Sequence, residues 1–370
     1  MATTLQSGDT QSVQSVQPMQ HAPPALSPES ADRGRQLANL LHRAGVAPLD
    51  DTGWIRVTGE DRVRWLNGMV TNSIQDLAPG QGCYNFVLNA QGRIQGDLTA
   101  FLLEDSILLE TSRDQLPALL AHLNHFIIMD DVELADISNQ RKGLLIAGPD
   151  GGKLLAAIDL SSEDDLQPLE FVHATWHLAS IDLIRAHSPL IPKFEVWGDP
   201  VALDAVRDQL LIAGASNTDS EALEQLRILE GTPRYGIDIR NSETARDLPQ
   251  ETAQTRALHF TKGCYLGQEI VERIRSRGNV HRTFTGFELK GTLPAPGAKL
   301  EAEGKAAGEL TSVAAIPLSE SESESTAAGA RPGPVQLALG YVRREALDRG
   351  LTLKFPGGTA TPIALPYSNA

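Results

Sequence analysis

The strongest constraint on the fold lies between residues 84 and 123. Residues 84–88, 93–103 and 107–111 are three apolar-rich runs with little more than a turn between them. Asn89-Ala90-Gln91-Gly92 is the first of these turns, and its glycine is placed to reverse the chain. The pattern predicts a β-meander. Leu116, Leu119, Leu120 and Leu123 follow at the i, i+3, i+4, i+7 spacing of one helix face. A meander with an amphipathic helix predicts an α+β fold whose mixed sheet is covered on one face.

The same theme extends both ways along the chain. Residues 32–44 predict a first helix and residues 54–57 a short strand, after which Gly59-Glu60-Asp61 opens a helix carrying Val63 and Leu66. Further on, residues 143–148 and 176–184 read as strands and residues 201–213 and 220–229 as helices. The repetition suggests a weak internal duplication, although the halves share no motif. A Ser/Glu run at 319–334, passing into Ala, Gly and Pro, predicts a flexible surface loop, because that composition cannot bury a core. It interrupts the strand-like pieces 285–289, 335–342 and 351–355, which predict a small terminal β-barrel. The expected organisation is a disordered tail over 1–30, an α+β body of two subdomains over 31–280, and a barrel over 281–370.

Composition narrows the function. The 370 residues are 41% hydrophobic and 21% charged, as in globular proteins, and the formal net charge of −15 would repel a phosphate backbone. General nucleic-acid binding is therefore not expected, although a local basic site remains open. There are two cysteines, Cys83 and Cys264, in no CxxC pair, so neither a disulfide framework nor a zinc site is indicated. Two thiols are also too few for one chain to ligate an iron–sulfur cluster through four. No apolar run reaches the roughly 18 residues of a membrane span. The Gln-, Ser-, Thr- and Pro-rich start lacks the pattern of a signal or transit peptide, so a cytoplasmic location is expected.

The densest unusual segment starts at Lys262-Gly263-Cys264-Tyr265-Leu266-Gly267-Gln268-Glu269. Its glycines allow a turn or the close approach of a ligand. Lys262 is near enough in sequence to Cys264 to favour its thiolate. Arg273, Arg275, Arg277, His281 and Arg282 follow, opposed by Glu269 and Glu272, and form a candidate anion site. Spacing alone is equally compatible with a glycine-rich turn, an inert thiol and a solvated helix face. Cys83, at a strand start, reads as core. His122 and His125 share the leucine-striped helix but have no third ligand at metal spacing.

The octapeptide resembles the signature of the YgfZ-type folate-binding proteins and, in related form, of the glycine-cleavage T-protein (aminomethyltransferase) superfamily. Three flanking pieces agree in order. Gln91-Gly92-Arg93-Ile94-Gln95-Gly96-Asp97-Leu98 is similar to that superfamily's glycine-rich hairpin, and Phe194-Glu195-Val196-Trp197 to a short strand bearing a Glu. Leu226-Arg227-Ile228-Leu229-Glu230-Gly231-Thr232-Pro233-Arg234-Tyr235-Gly236 is similar to its Arg-containing helix end and Tyr-Gly turn. The resemblance implies a ring-like body holding tetrahydrofolate in a central channel, with Glu195 at the pterin edge and Arg227 close to the folate. Asp97, Tyr235, Lys262, Tyr265 and Gln268 are carried over as further folate positions, and Cys264 as the reactive thiol. The chemistry is sound: a carboxylate accepts paired N–H donors, and guanidinium suits the glutamate carboxylates of folate.

One departure matters. The aminomethyltransferases carry adjacent acids in the hairpin, whereas here Gly96 precedes the single acid Asp97. Folate-dependent C–N cleavage needs a placed carboxylate. The departure favours the YgfZ branch, which implies an accessory protein for iron–sulfur cluster assembly or repair in client enzymes. The alternatives are an aminomethyltransferase acting on a lipoyl carrier and the folate domain of a demethylating oxidase. The latter would need a separate flavin subunit, since no dinucleotide fingerprint precedes the body.

Overall fold

The computed structural model describes residues 28–160, 166–242, 246–278, 280–317 and 334–368. The amino-terminal tail as far as residue 27 and the Ser/Glu-rich run over 318–333 lie outside the described residues. Helix α1 (Pro28–His42) starts earlier than expected, inside the segment assigned to the tail. Proline is tolerated in a first helical turn, where its missing N–H is not needed.

Strand β1 (Gly45–Pro48) belongs to a second sheet, and the chain crosses at once to the first. That sheet comprises β2 (Thr52–Thr58), β3 (Gly82–Leu88), β4 (Ile94–Leu102), β5 (Ile107–Ser112) and β6 (Glu133–Asp136). It is antiparallel throughout, in the order β3-β4-β5-β2-β6. Alternation gives it two apolar faces. Ile55, Val57, Leu98, Ala100, Ile107 and Leu109 pack under α2 (Arg62–Met69) and α3 (Leu116–Asn124). Each of the Ile, Val and Leu side chains among these contributes about 1.5–3 kcal/mol when fully buried. Trp54, Phe101 and Leu108 point the other way and meet Ile184 and Trp197 of the second sheet. The Trp197 ring lies 5.2 Å from Phe101 and 5.9 Å from Trp54, both edge to face. The first sheet is thus covered on both faces, not one, because a second sheet takes the place of solvent.

The second sheet adds β7 (Lys142–Ala147), β8 (Phe171–Trp176), β9 (Ala179–Ala186), β10 (Lys193–Gly198) and β11 (Ser216–Asn217). Its order is β11-β1-β7-β10-β9-β8, with β1 and β11 parallel. Helices α4 (Gly151–Ala157) and α5 (Pro200–Ile212) cover its outer face. The strand expected over 176–184 is β9, which begins at Ala179 and is the second arm of a hairpin whose first arm, β8, ends at Trp176. His177 and Leu178 form the turn with φ of 43° and 73°, the left-handed pair of a type I′ connection. Neither residue is a glycine or asparagine, so the sequence carried no turn signal there.

Beyond α6 (Ser220–Glu230), an irregular segment and α7 (Gln268–Arg277) lead to the barrel. Its strands are β12 (Arg282–Gly291), β13 (Lys299–Ala302), β14 (Lys305–Ile316), β15 (Val335–Arg343), β16 (Leu353–Phe355) and β17 (Gly358–Ile363). They close in the order β12-β15-β14-β13-β16-β17, with α8 (Arg344–Asp348) packed on β15. Helices α1 and α6 share a core with the second sheet and the barrel. The irregular segment packs through Ile239, Ala257, Leu258 and Tyr265 on β3 and β4 of the first sheet. Arg240 reaches from it to Glu309 of the barrel at 2.8 Å. The two sheets therefore meet directly, the second sheet meets the barrel in the core shared with α1 and α6, and the irregular segment bridges the first sheet and the barrel. Among the described residues no helix is long and apolar enough to cross a membrane.

Candidate functional site

Strand alternation decides which polar side chains enter the seam between the sheets. Leu98 and Leu109 face the helices, so Asp97 and Glu110 face the second sheet. Val196 faces α5, so Glu195 faces back toward them from β10. Tyr84 Oη donates to Asp97 Oδ2 at 2.6 Å and Gln115 Nε2 to Oδ1 at 2.7 Å. Burial raises the Asp97 carboxyl above its usual range, against the pull of these donors and of Arg256. Asp97 therefore lies within a strand on the inner face.

Glu110 and Glu195 share a hydrogen bond across the seam, and Trp197 Nε1 donates to Glu195 Oε2 at 2.8 Å. Burial, then the charge of Glu195, hold the Glu110 carboxyl well above the ordinary range, and burial raises Glu195 less. Two acids this close cannot both ionise. Glu110 keeps the proton and donates; Glu195 accepts.

Arg256 supplies the cation. Its guanidinium stacks 4.0 Å above the Tyr84 ring, and Nε donates to Gln254 Oε1 at 3.1 Å. Burial lowers its affinity for a proton, with Tyr84 and Asp97 opposing. Arg256 also lines a cavity of about 410 Å3 shared with His187, Glu230, Thr232 and Phe284. His187 is pushed down to about 4 by burial and by the charges of Arg256 and Lys193. Lys193 itself is ion-paired with Glu230 at 2.6 Å. Arg256 thus stands between the carboxyl group of residues and the cavity. Tyr235 closes one flank, its hydroxyl donating to Gln95 O at 2.7 Å.

Arg227 is elsewhere occupied. Its five N–H groups bond Glu224 twice, at 2.8 and 2.6 Å, and Thr232 O, Asp238 and Ser312 Oγ once each. No donor remains for a ligand, and the residue ties the end of α6 to the barrel. Arg282 likewise binds Asp247 and Glu251 at 2.7 and 2.9 Å, which removes it from the expected anion cluster. On α7, Arg273 pairs with Glu269 at 2.7 Å, and Arg275 lies over the Phe260 ring.

The octapeptide is built by its own residues. Gly267 (φ +82°) begins α7, and a Cβ there would lie 2.5 Å from Asn89 O of the β3–β4 turn. Across the same contact, Gly92 accommodates Ile270. Lys262 Nζ donates to Val70 O at 2.7 Å and to Asn72 O. Its charge acts on the buried Cys83 thiol. Burial lowers Lys262 to about 8 and raises Cys83 to about 11. Tyr265 is in the core, and Gln268 Oε1 accepts from Tyr265 N at 3.3 Å. These three side chains hold the turn together, and Cys264 is left exposed at its apex. His122 Nε2 meets Leu88 O at 3.2 Å, and Cys83 lies in the core as expected.

The structure thus gathers Asp97, Glu195 and Tyr235 and adds three residues that sequence reasoning missed. Glu110 gave one signal, as the lone acid in an otherwise apolar strand on the parity of Leu108. Tyr84 and Arg256 gave none.

Residues 18–253 match the family described as the GCVT N-terminal domain. A putative chloroplastic transferase of Arabidopsis thaliana is 27% identical over 313 residues, spanning 83% of this chain and 67% of that protein. The tRNA-modifying protein YgfZ of Yersinia pseudotuberculosis is 29% identical over 290 residues, 76% of this chain and 80% of that one. The glycine cleavage system aminomethyltransferase T from Bartonella henselae superimposes with a TM-score of 0.77 at 20% identity, over 91% of this chain and 90% of that one. That likeness concerns the fold. The family match spans more than half of the chain, and the chain belongs to the GCVT N-terminal domain family, as a YgfZ-type member of the glycine-cleavage T-protein superfamily.

Proposed function

We propose that this protein binds tetrahydrofolate, or a one-carbon derivative of it, and supports iron–sulfur cluster assembly or repair in client enzymes of the cytoplasm through the Cys264 thiol. The observation that carries the reading is the buried Asp97–Glu110–Glu195 group beside Arg256. The donor and acceptor set fits a reduced pterin. Ionised Glu195 accepts from an exocyclic amine and ring N–H, while Glu110, whose one proton is given to Glu195, offers its other oxygen as a further acceptor. Arg256, rather than the saturated Arg227, is the guanidinium available to a glutamate carboxylate. Tetrahydrofolate, when bound, supplies a carrier for one-carbon units.

Cys264 is exposed at a turn braced by Lys262, Tyr265 and Gln268, which suits a redox thiol or a single cluster ligand. The tRNA-modifying name of the Yersinia relatives supports RNA-modifying enzymes as clients. Calorimetric titration with tetrahydrofolate and its formyl and methylene forms tests the binding, with Glu195→Ala expected to weaken it about tenfold or more. No binding by any form removes the reading. The thiol role fails separately if Cys264→Ala fully restores cluster enzymes in cells lacking the protein.

A second reading, aminomethyl transfer, draws on the buried Asp97 held by Tyr84 and Gln115. Folate-dependent ammonia release from an aminomethyl-lipoyl carrier would establish it.

A further inference from the structure

The hairpin of β8 and β9 carries a row of polar side chains that folate binding does not use. His173 on β8 stands directly opposite Asp182 on β9, and Trp197 of β10 continues the row on the other side of Asp182. Ser180 lies two residues before Asp182 in the same strand, and so on the same face. His173 Nδ1 meets Asp182 Oδ1 at 2.9 Å, and His173 Nε2 meets Ser180 Oγ at 2.9 Å. One imidazole thus links a hydroxyl to a carboxylate, each through the ring nitrogen that a nucleophilic triad requires.

Burial divides the three by role. Asp182 is buried, and its Oδ2 is ion-paired with Arg141, whose guanidinium lies 5.8 Å from the Trp197 ring centroid. The acid is therefore fixed in place from two sides. A carboxylate only accepts, so the hydrogen of its bond to the ring sits on Nδ1, and Nε2 of the neutral imidazole accepts from the Ser180 hydroxyl. His173 and Ser180 are open to solvent, the former with 65% of its side chain exposed. The reactive pair is accessible to a substrate, while the acid that orients it is not.

We propose that Ser180, His173 and Asp182 form a nucleophilic triad that hydrolyses small carboxylic esters. Ser180 Oγ attacks the carbonyl carbon as His173 Nε2 takes its proton. The bond from the carbonyl carbon to the alcohol oxygen then breaks, and the same proton passes to that oxygen. Water attacks the acyl-serine, giving a proton to His173 Nε2; the acyl group leaves as a carboxylic acid, and the proton returns to Ser180 Oγ. Thr175 stands directly opposite Ser180 on the same face, where its hydroxyl can donate to the developing oxyanion. The exposed face offers an acyl chain little to pack against, which selects short acyl groups.

The test uses the full chain carrying Cys264→Ala, because an exposed thiol takes acyl groups by itself. Para-nitrophenyl acetate should be turned over with saturation, and a fluorophosphonate should label Ser180, as located by mass spectrometry of the digested protein. Ser180→Ala and His173→Gln, both at exposed positions, should each lower the turnover about 100-fold with an unchanged circular dichroism spectrum. Turnover in Ser180→Ala equal to that of its parent overturns the proposal, as does a phosphonate found only on other residues.

Discussion

Arg227→Ala separates two roles for one residue. If Arg227 were a folate contact, its loss would weaken ligand binding and spare the fold. In the structure all five of its N–H groups are used, one of them on Asp238, which is completely buried. After the substitution Asp238 keeps donors from Arg234 N at 2.9 Å, from Ser312 Oγ at 2.8 Å and from Thr311 Oγ1, but loses its cation. Removing one partner of a buried ion pair costs about 3–5 kcal/mol, and the three remaining hydrogen bonds point to the lower end. With a urea dependence of about 3 kcal/mol per molar, the unfolding midpoint should fall by about 1 M. Arg227→Lys restores the charge without the planar fork and should recover only part of that loss. Far-UV circular dichroism in urea gives the midpoint, and titration without urea gives the affinity for folate. An unchanged midpoint together with a tenfold weaker affinity would instead make Arg227 a ligand contact and not a tie between α6 and the barrel.

Gly267→Ala combines a left-handed φ with a Cβ 2.5 Å from a backbone oxygen and should cost roughly 2–4 kcal/mol. Gly263→Ala, at φ +96° with nothing within 4 Å, should cost only about 1–2 kcal/mol, so equal losses of thermal stability would contradict the packing of the octapeptide on the β3–β4 turn. Burial and Glu195 raise the Glu110 carboxyl above its ordinary 4.5, so the folded state holds a proton that the unfolded chain releases. Stability contributed by that proton is present below about pH 4.5 and falls as pH rises toward the folded value; Glu110→Gln should gain on wild type across that window, and parallel pH profiles would count against the shared proton. His187, at about 4 when folded and 6.5 when unfolded, loses stability as pH falls between those values, and His187→Asn should flatten that limb of a urea-midpoint profile.

Much of the architecture was legible because the meander and its leucine-striped helix obey simple periodicities. The hairpin at His177–Leu178 was not, because a type I′ turn without glycine or asparagine gives no local cue. Motif matching led to Asp97 and Glu195, since each sits in a recognisable strand. It could not reveal Glu110, whose partner lies on another sheet more than eighty residues away in the chain. Arg227 shows the converse: the motif identifies the position, but its charge is consumed by Asp238, an ordinary residue in a turn. Arg256 occupies an irregular segment with no periodicity to single it out, and only the stacking on Tyr84 does so.

The carboxyl group in the seam and the exposed thiol are joined by continuous packing along β3. Tyr84 donates to Asp97, its ring lies 5.6 Å from Phe86, and Phe86 shares a core with Tyr265, the neighbour of Cys264 in sequence. A ligand that draws on Asp97 competes with Tyr84 for the same carboxylate oxygens, and any shift of that ring presses on Phe86. Close-packed cores transmit such shifts because they contain little free volume. The rate of Cys264 alkylation by iodoacetamide should therefore change when tetrahydrofolate is added. Phe86→Leu, which removes the middle ring, should keep the folate affinity but abolish that change. Cys83, buried and raised to about 11, contributes little to the alkylation signal. If the folate effect on Cys264 is the same in Phe86→Leu as in wild type, the coupling does not run through Phe86, and the turn that Gly267 presses against Asn89 and the hydrogen bonds from Lys262 through Asn72 to Tyr84 are other contacts between thiol and seam.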